Sequence, residues 1–345
     1  MRCHSRVLAS ALLCLVATTT ITLSAPRPDE RVTALTHSLS ETEHDHGSAA
    51  PELLPILASL AQLRFEQAQL AEATELRRRA MKIAIGSYGP ETVPAAEAMA
   101  ALAHLYIERR DYLDAEPLTI TAAGILHDRL GRSSPALAAV LADRARIALA
   151  RGDVDQARQW AEQAIAIDKQ LGGAPHSSRL RTLGLVLTVQ RKFADSERVL
   201  RQALALDRGS GDELATARSL AALANTYLRQ KHPAVALPLI EEATLIDQTC
   251  LGPAHPIIAE DFHDLGVVFL AMNRPEDAAK ALHTGMDLLD HGTGRDIPTL
   301  AYIMLDLARA EHILGHDGKA QSLFTAARRI LNAAEDGERD RQRQA

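Results

Sequence analysis

Histidine, carboxylate and thiol side chains gather at three places in this 345-residue chain. His37, Glu41, Glu43, His44, Asp45 and His46 fall within ten residues, a donor set that suits a transition metal. They keep no strict ligand spacing, and the same polar composition reads as a solvated linker. His312 and His316 stand four apart on one face of a helical stretch, but no third ligand accompanies them and Gly315 is placed to end that helix; the pair reads as structural. Cys250 follows an apolar stretch and reads as a buried small residue rather than a nucleophile. There is no Gly-rich phosphate loop, no nucleophile elbow and no metal-hydrolase helix motif. The expectation is therefore a protein without catalysis, cofactor or metal.

The elements that would carry any site are helical. Ala and Leu dominate, aromatic residues make up 3% of the chain, and there is one Trp. Both Ala and Leu favour helix, and the long alternating apolar segments that signal sheet are missing. The formal net charge of −6 and the interspersed signs argue against a nucleic-acid binder.

Residues 1–25 read as an export signal or an N-terminal anchor: Arg2 and Arg6 precede an uncharged run from Val7 to Leu23, and a polar stretch begins at Pro26. Either way the remainder is expected outside the cytoplasm, in a bacterial periplasm or extracellular. Cleavage would leave a net charge of −8 and Cys250 as the single thiol, so no internal disulfide is expected. Residues 26–50 read as a polar flexible linker, and residues 334–345 as a charged tail that frays.

Between these ends a pattern recurs. Ala73, Ala115, Ala157, Ser196, Ala236, Ala278 and Ala320 are spaced by 42, 42, 39, 40, 42 and 42 residues. Seven positions after each marker stands another small residue, from Ala80 and Ala122 through Gly285 to Ala327. Thirteen positions before it stands Leu in every unit except the third, where Arg144 takes its place. The units run approximately 51–89, 90–131, 132–173, 174–211, 212–252, 253–294 and 295–333. Each holds two apolar-periodic stretches of helix length around a short polar turn. A single pair cannot bury its apolar face, so neighbours must stack into a solenoid. Trp160, at a second-helix position elsewhere held mostly by Leu, reads as core. Pro117 and Pro238 should bend or loosen the starts of their helices.

The pattern of Leu, small residue, aromatic, Ala, and Ala seven later resembles the tetratricopeptide repeat, in the elongated 42-residue form of kinesin light chains. It is clearest at Leu102, Ala103, Tyr106, Ala115 and Ala122. The resemblance implies an all-α, right-handed superhelix of about seven helix pairs. Arg64, Ala148 and Glu311 replace the aromatic, so the first and last units read as degenerate caps. Of the Asn residues that kinesin light chains repeat along their first helices, only Asn225 is kept, and the two-carboxylate clamp of chaperone-binding relatives is not simply copied.

The resemblance also implies a concave groove lined by first helices. Carrying the phase across places Asp143, Arg146, Arg181, Thr182, Arg218, Asn225 and Arg229 there, with His263, Asp264, Asp306, Arg309 and His312 further on. Four Arg in three adjacent units suggest a site for an acidic segment or a terminal carboxylate, which Arg grips bidentately. The competing reading pairs these Arg with Asp143, Glu213 and other local acids. The expected function is an exported scaffold that binds a protein or peptide partner through the groove. A module sensing an acidic peptide or small carboxylate, and a metal-handling protein, are the alternatives.

Overall fold

A computed structural model describes residues 28–291 and 297–344, so the expected export segment and the expected unit boundary at 294 lie outside the described residues. Among the described residues there are helices and no strands. Helix α1 (Pro28–His46) is followed by α2 (Leu53–Glu66) and α3 (Leu70–Tyr88), then α4 (Val93–Glu108) and α5 (Tyr112–Leu130). Next come α6 (Pro135–Ala150) and α7 (Val154–Gln170), and α8 (Ser177–Val189) with α9 (Phe193–Ser210). The series ends with α10 (Glu213–Arg229) and α11 (Pro233–Leu251), α12 (Pro256–Ala271) and α13 (Pro275–His291), and α14 (Ile297–Ile313) and α15 (Asp317–Gln344). From α2 onward the helices pack as consecutive pairs, each pair against the next, which makes the chain an α-solenoid. No helix among the described residues is long and apolar enough to cross a membrane.

Helix starts follow local chemistry. Pro lies in the first turn of α4, α6, α11 and α12, where its missing N–H removes no helical bond. Ser134 accepts from the Leu137 amide at 3.1 Å and Asp212 from the Ala215 amide at 2.9 Å, capping α6 and α10.

The turn inside each pair is the most regular feature of the backbone. Ala68, Arg110, Gly152, Arg191, Lys231, Asn273 and Gly315 all stand five residues before the marker, and all have φ between 57° and 83°. Each lets the next amide bond back to a carbonyl five residues earlier, as Asp111 does to Tyr106 and His232 to Tyr227. That closes the first helix in a Schellman-type cap. Only two of the seven are Gly, so the other five hold a left-handed conformation against an intrinsic cost of about 1 kcal/mol each.

The markers Ala73, Ala115, Ala157, Ser196, Ala236 and Ala278 are completely buried where the paired helices cross. Gly184 and Gly266 mark still tighter crossings: a Cβ on either would fall 2.4 Å from the Cγ of Leu200 or Leu282. Arg144, the one break in the Leu series, lays its guanidinium 4.1 Å from the centre of the Trp160 ring. A cation–π pair therefore fills the space that Leu fills elsewhere, while Trp160 packs on the neighbouring cores as expected.

Three expectations need correction. Residues 28–46 are helix rather than linker. Val32, Leu35 and Leu39 form a narrow stripe that packs on Ile56, Leu60, Leu63 and Leu76 and covers the apolar end of the first pair. Three apolar residues among many charges give little sequence signal, yet they suffice when a preformed surface receives them. The tail is not a segment apart from the last pair but a continuation of α15, which runs to Gln344, its Glu, Arg and Gln being good helix formers. Cys250 is exposed, because it sits near the end of α11 on the face away from the packing. Pro117 and Pro238 lie inside α5 and α11 without interrupting either.

Candidate protein-binding groove

The first helices α4, α6, α8, α10, α12 and α14 carry polar residues at positions three, four and seven apart, which places them on one face of each helix. His104 and Asp264 keep solvent-accessible surface although protein surrounds them, so they face an interior groove.

On α4 and α6 the charges neutralise one another. Arg146 Nη1 lies 2.7 Å from Glu108 Oε1 and 3.7 Å from Asp143. His104 Nδ1 lies 3.1 Å from Asp143 and its Nε2 3.8 Å from Glu108. Burial alone would raise the Glu108 carboxyl, but Arg146, His104 and Arg218 outweigh it and hold Glu108 at about 2. Burial likewise opposes the charge on His104, and Asp143 and Glu108 still raise its pKa.

The next two arginines are less well matched. Arg181 Nη1 donates to Ser219 Oγ at 3.3 Å and lies 3.6 Å from Asp207. Burial, then the like charge of Arg218, lowers Arg181 to about 10. Arg218 is exposed in the groove and makes no ion pair among the described residues, while its charge reaches Glu108, Asp247 and His255.

The wall on α12 is acidic. Burial raises Asp264, against the pull of His263 and Arg110. His263 itself pairs with Asp306 of α14 at 2.8 Å. Glu260 meets Arg110 from the α4–α5 turn at 3.1 Å, across 150 residues of sequence. Through this ion pair the sixth pair of helices comes round to the second.

Of the expected site residues, Asp143, Arg146, Arg181 and Arg218 are therefore brought to one stretch of groove, with Asp264 on the acidic wall. Thr182 is instead buried and bonds the Ser178 carbonyl at 3.0 Å. Asn225 is half-buried, two turns along α10 from Arg218. Arg229 turns to the rim, where it lines a recess of about 390 Å³ with Arg191, Phe193, Glu197, Lys231 and His232. Arg309 is exposed, with no ion pair among the described residues. Arg146 pairs with the local acids Glu108 and Asp143, whereas Arg218 makes no ion pair among the described residues.

Glu108, Arg110, Asp207, Ser219 and Glu260 were not singled out from the sequence. Glu108 stands four residues after His104 on the same stripe, a signal that was present. Arg110 and Glu260 had none, since nothing local links them.

The histidine clusters are accounted for locally. His37 pairs with Glu41 at 3.2 Å along α1. Glu311 is buried between His316 at 2.6 Å and His283 at 3.5 Å, and His312 pairs with Asp317 at 2.7 Å. Among the described residues no three His, Cys, Asp or Glu side chains gather in a metal-binding arrangement.

An all-helical solenoid of stacked pairs with a polar inner face defines a repeat-scaffold architecture. Residues 177–249 match the tetratricopeptide repeat family. Among curated proteins no sequence relative matches. Among solved structures it is similar to aspartyl phosphate phosphatase F from Bacillus subtilis, at 14% identity and a TM-score of 0.55, covering 86% of this chain and 75% of that one. It is also similar to NprR in complex with its cognate peptide NprX, at 13% identity and a TM-score of 0.53, covering 70% and 67%. A putative kinesin light chain from Podosopora anserina is 21% identical over 69% of this chain and 95% of that one, with a TM-score of 0.31. At these identities the likeness is one of fold.

Proposed function

We propose that the protein is an exported scaffold that holds a segment of a partner protein in its groove and performs no chemistry of its own. An acidic group of that segment would lie against Arg181 and Arg218. The observation that carries this reading is Arg218, a guanidinium in an enclosed groove without a counter-charge of its own. A free carboxylate brought there gains two charge-assisted donors at little cost, since Arg218 has no partner to give up. The NprR neighbour, described with a bound peptide, supports a solenoid of this curvature as a peptide holder.

The test is affinity capture from the native organism with wild type and with Arg181→Glu plus Arg218→Glu. Loss of the captured partner in the double variant is expected. Unchanged capture would sink the arginine site while leaving the scaffold reading intact. Capture of a small carboxylate metabolite instead of a protein would favour a sensor module. Export is tested separately by cell fractionation and N-terminal sequencing of the native protein; an intact N-terminus in the cytoplasmic fraction would overturn it.

A further inference from the structure

Three successive second helices carry an aspartate at one repeat position, eleven residues after the marker. Asp168 on α7, Asp207 on α9 and Asp247 on α11 are 5%, 2% and 6% exposed. The first helix of the next pair answers each from the position seventeen residues before its own marker, with Arg179, Ser219 and Asp261. At the first seam the Arg179 guanidinium pairs with Asp168. At the second, Ser219 Oγ donates to Asp207 Oδ2 at 2.6 Å. In the flanking seams the same two positions hold Leu126 with Val140, and Leu289 with Ile303, each pair inside one apolar core. The position is therefore a core contact between consecutive pairs, and its polar versions are matched as ion pair or hydrogen bond. At the third seam an acid answers an acid.

Asp261 is 5% exposed and its Oδ2 has no hydrogen-bond donor. The charged groups around it are Asp247 from α11 and Asp264 and Glu260 from its own helix, all acidic. Arg218 of α10 reaches Asp247 and the His255 ring at the start of α12. Two buried carboxylates with no cation between them cannot both ionise; one proton shared between them replaces the missing donor.

We propose that Asp247 and Asp261 form a proton-sharing carboxyl pair, which makes the α11–α12 seam of the groove wall pH-responsive. With the proton on Asp261, that carboxyl is neutral beside Asp247, at the repeat position where Ser219 donates to Asp207. When the proton leaves, two like charges face each other in a dry seam, on the helix that brings Glu260 and Asp264 to the groove. Burial first, then Asp247, Asp264 and Glu260, push Asp261 up to about 8, and burial pushes Asp247 up to about 6 against Arg218. Both folded-state values lie above the unfolded value near 4. The unfolded chain therefore gives up these protons first, and stability falls as pH rises from about 4 to about 8, then levels. His255, lowered by burial, works in the opposite sense on the acid side.

The repeats supply their own test variants. Melting of the whole chain is followed from pH 5 to pH 9 for wild type, Asp261→Asn and Asp261→Ser. Both variants are expected to melt higher than wild type at pH 9, on the order of 5 °C, with the advantage shrinking toward pH 5. An equal difference at all pH values would overturn the proposal. So would a chelator that lowers the wild-type Tm and not that of Asp261→Asn, because a bound cation would then be neutralising the pair. Should the variants fail to fold, carboxyl-carbon NMR titration of wild type decides: an Asp261 midpoint near 4 refutes the shared proton, and one near 8 supports it.

Discussion

On α4 and α6, two acids, an arginine and a histidine neutralise one another within about one helical turn of groove; on α12, Asp261 and Asp264 stand without an ion pair among the described residues, and Arg218 on α10 is likewise unpaired. The two stretches sit on the same backbone frame, with the same small residues at the crossings. Their difference separates structural charge from available charge. Where charges are matched inside the chain, a ligand must break existing pairs to bind. Where they are unmatched, binding completes what folding left open.

The comparison can be broken at several levels. The shared frame should fail equally at its two tightest crossings, on α8 and α12. Gly184→Ala and Gly266→Ala each drive a Cβ against a buried Leu and should cost about 2 kcal/mol in urea denaturation. A large inequality would show that the frame does not repeat its packing from one pair to another. Glu108→Gln should cost about 2 kcal/mol at pH 7, because it strips Arg146 of its closest acid. Glu108 is depressed to about 2, so its contribution is present above its unfolded value near 4.5 and lost as pH falls toward 2. The difference between Glu108→Gln and wild type should therefore shrink on acidification, and a constant difference would refute the pairing. Arg218→Ala should change stability by less than about 0.5 kcal/mol, since no internal pair is lost. A destabilisation as large as that of Glu108→Gln would mean Arg218 is structural, and would erase the contrast. Smallest of all, Arg110→Ala removes a half-exposed ion pair and should cost no more than about 0.5 kcal/mol, yet should widen the molecule in small-angle scattering.

Much of the frame was legible in the chain. The phase of Ala115, Ala157 and Ala236 with Leu102 and Leu223 reports helix crossings that tolerate only small residues, and such constraints are local and repeat. The left-handed turn position was not legible, because Arg110, Arg191, Lys231 and Asn273 fill it as readily as Gly152. Helix α1 was missed because its three apolar residues matter only against the surface of the first pair. In the groove, the phase placed Arg146, Arg181 and Arg218 on one face. It could not say that Glu108 and Asp143 would occupy the first and leave the third free, which depends on side-chain reach. The fate of Arg229 depended on the rim between two turns. Curvature was out of reach altogether, since it accumulates from small rotations from the second pair to the sixth before Arg110 meets Glu260.

That meeting changes the dimensionality of the molecule. A stack of repeats is a line of neighbours, in which a disturbance decays from one unit to the next. A bond between the second and sixth pairs joins the line into a loop, like a coiled spring with a catch across its turns. Any change of pitch in α6, α8 or α10 is summed along the coil and delivered to one exposed ion pair. Its weakness is what makes it informative: a catch worth little energy opens or shuts on small differences in the coil, and so registers what the coil is holding.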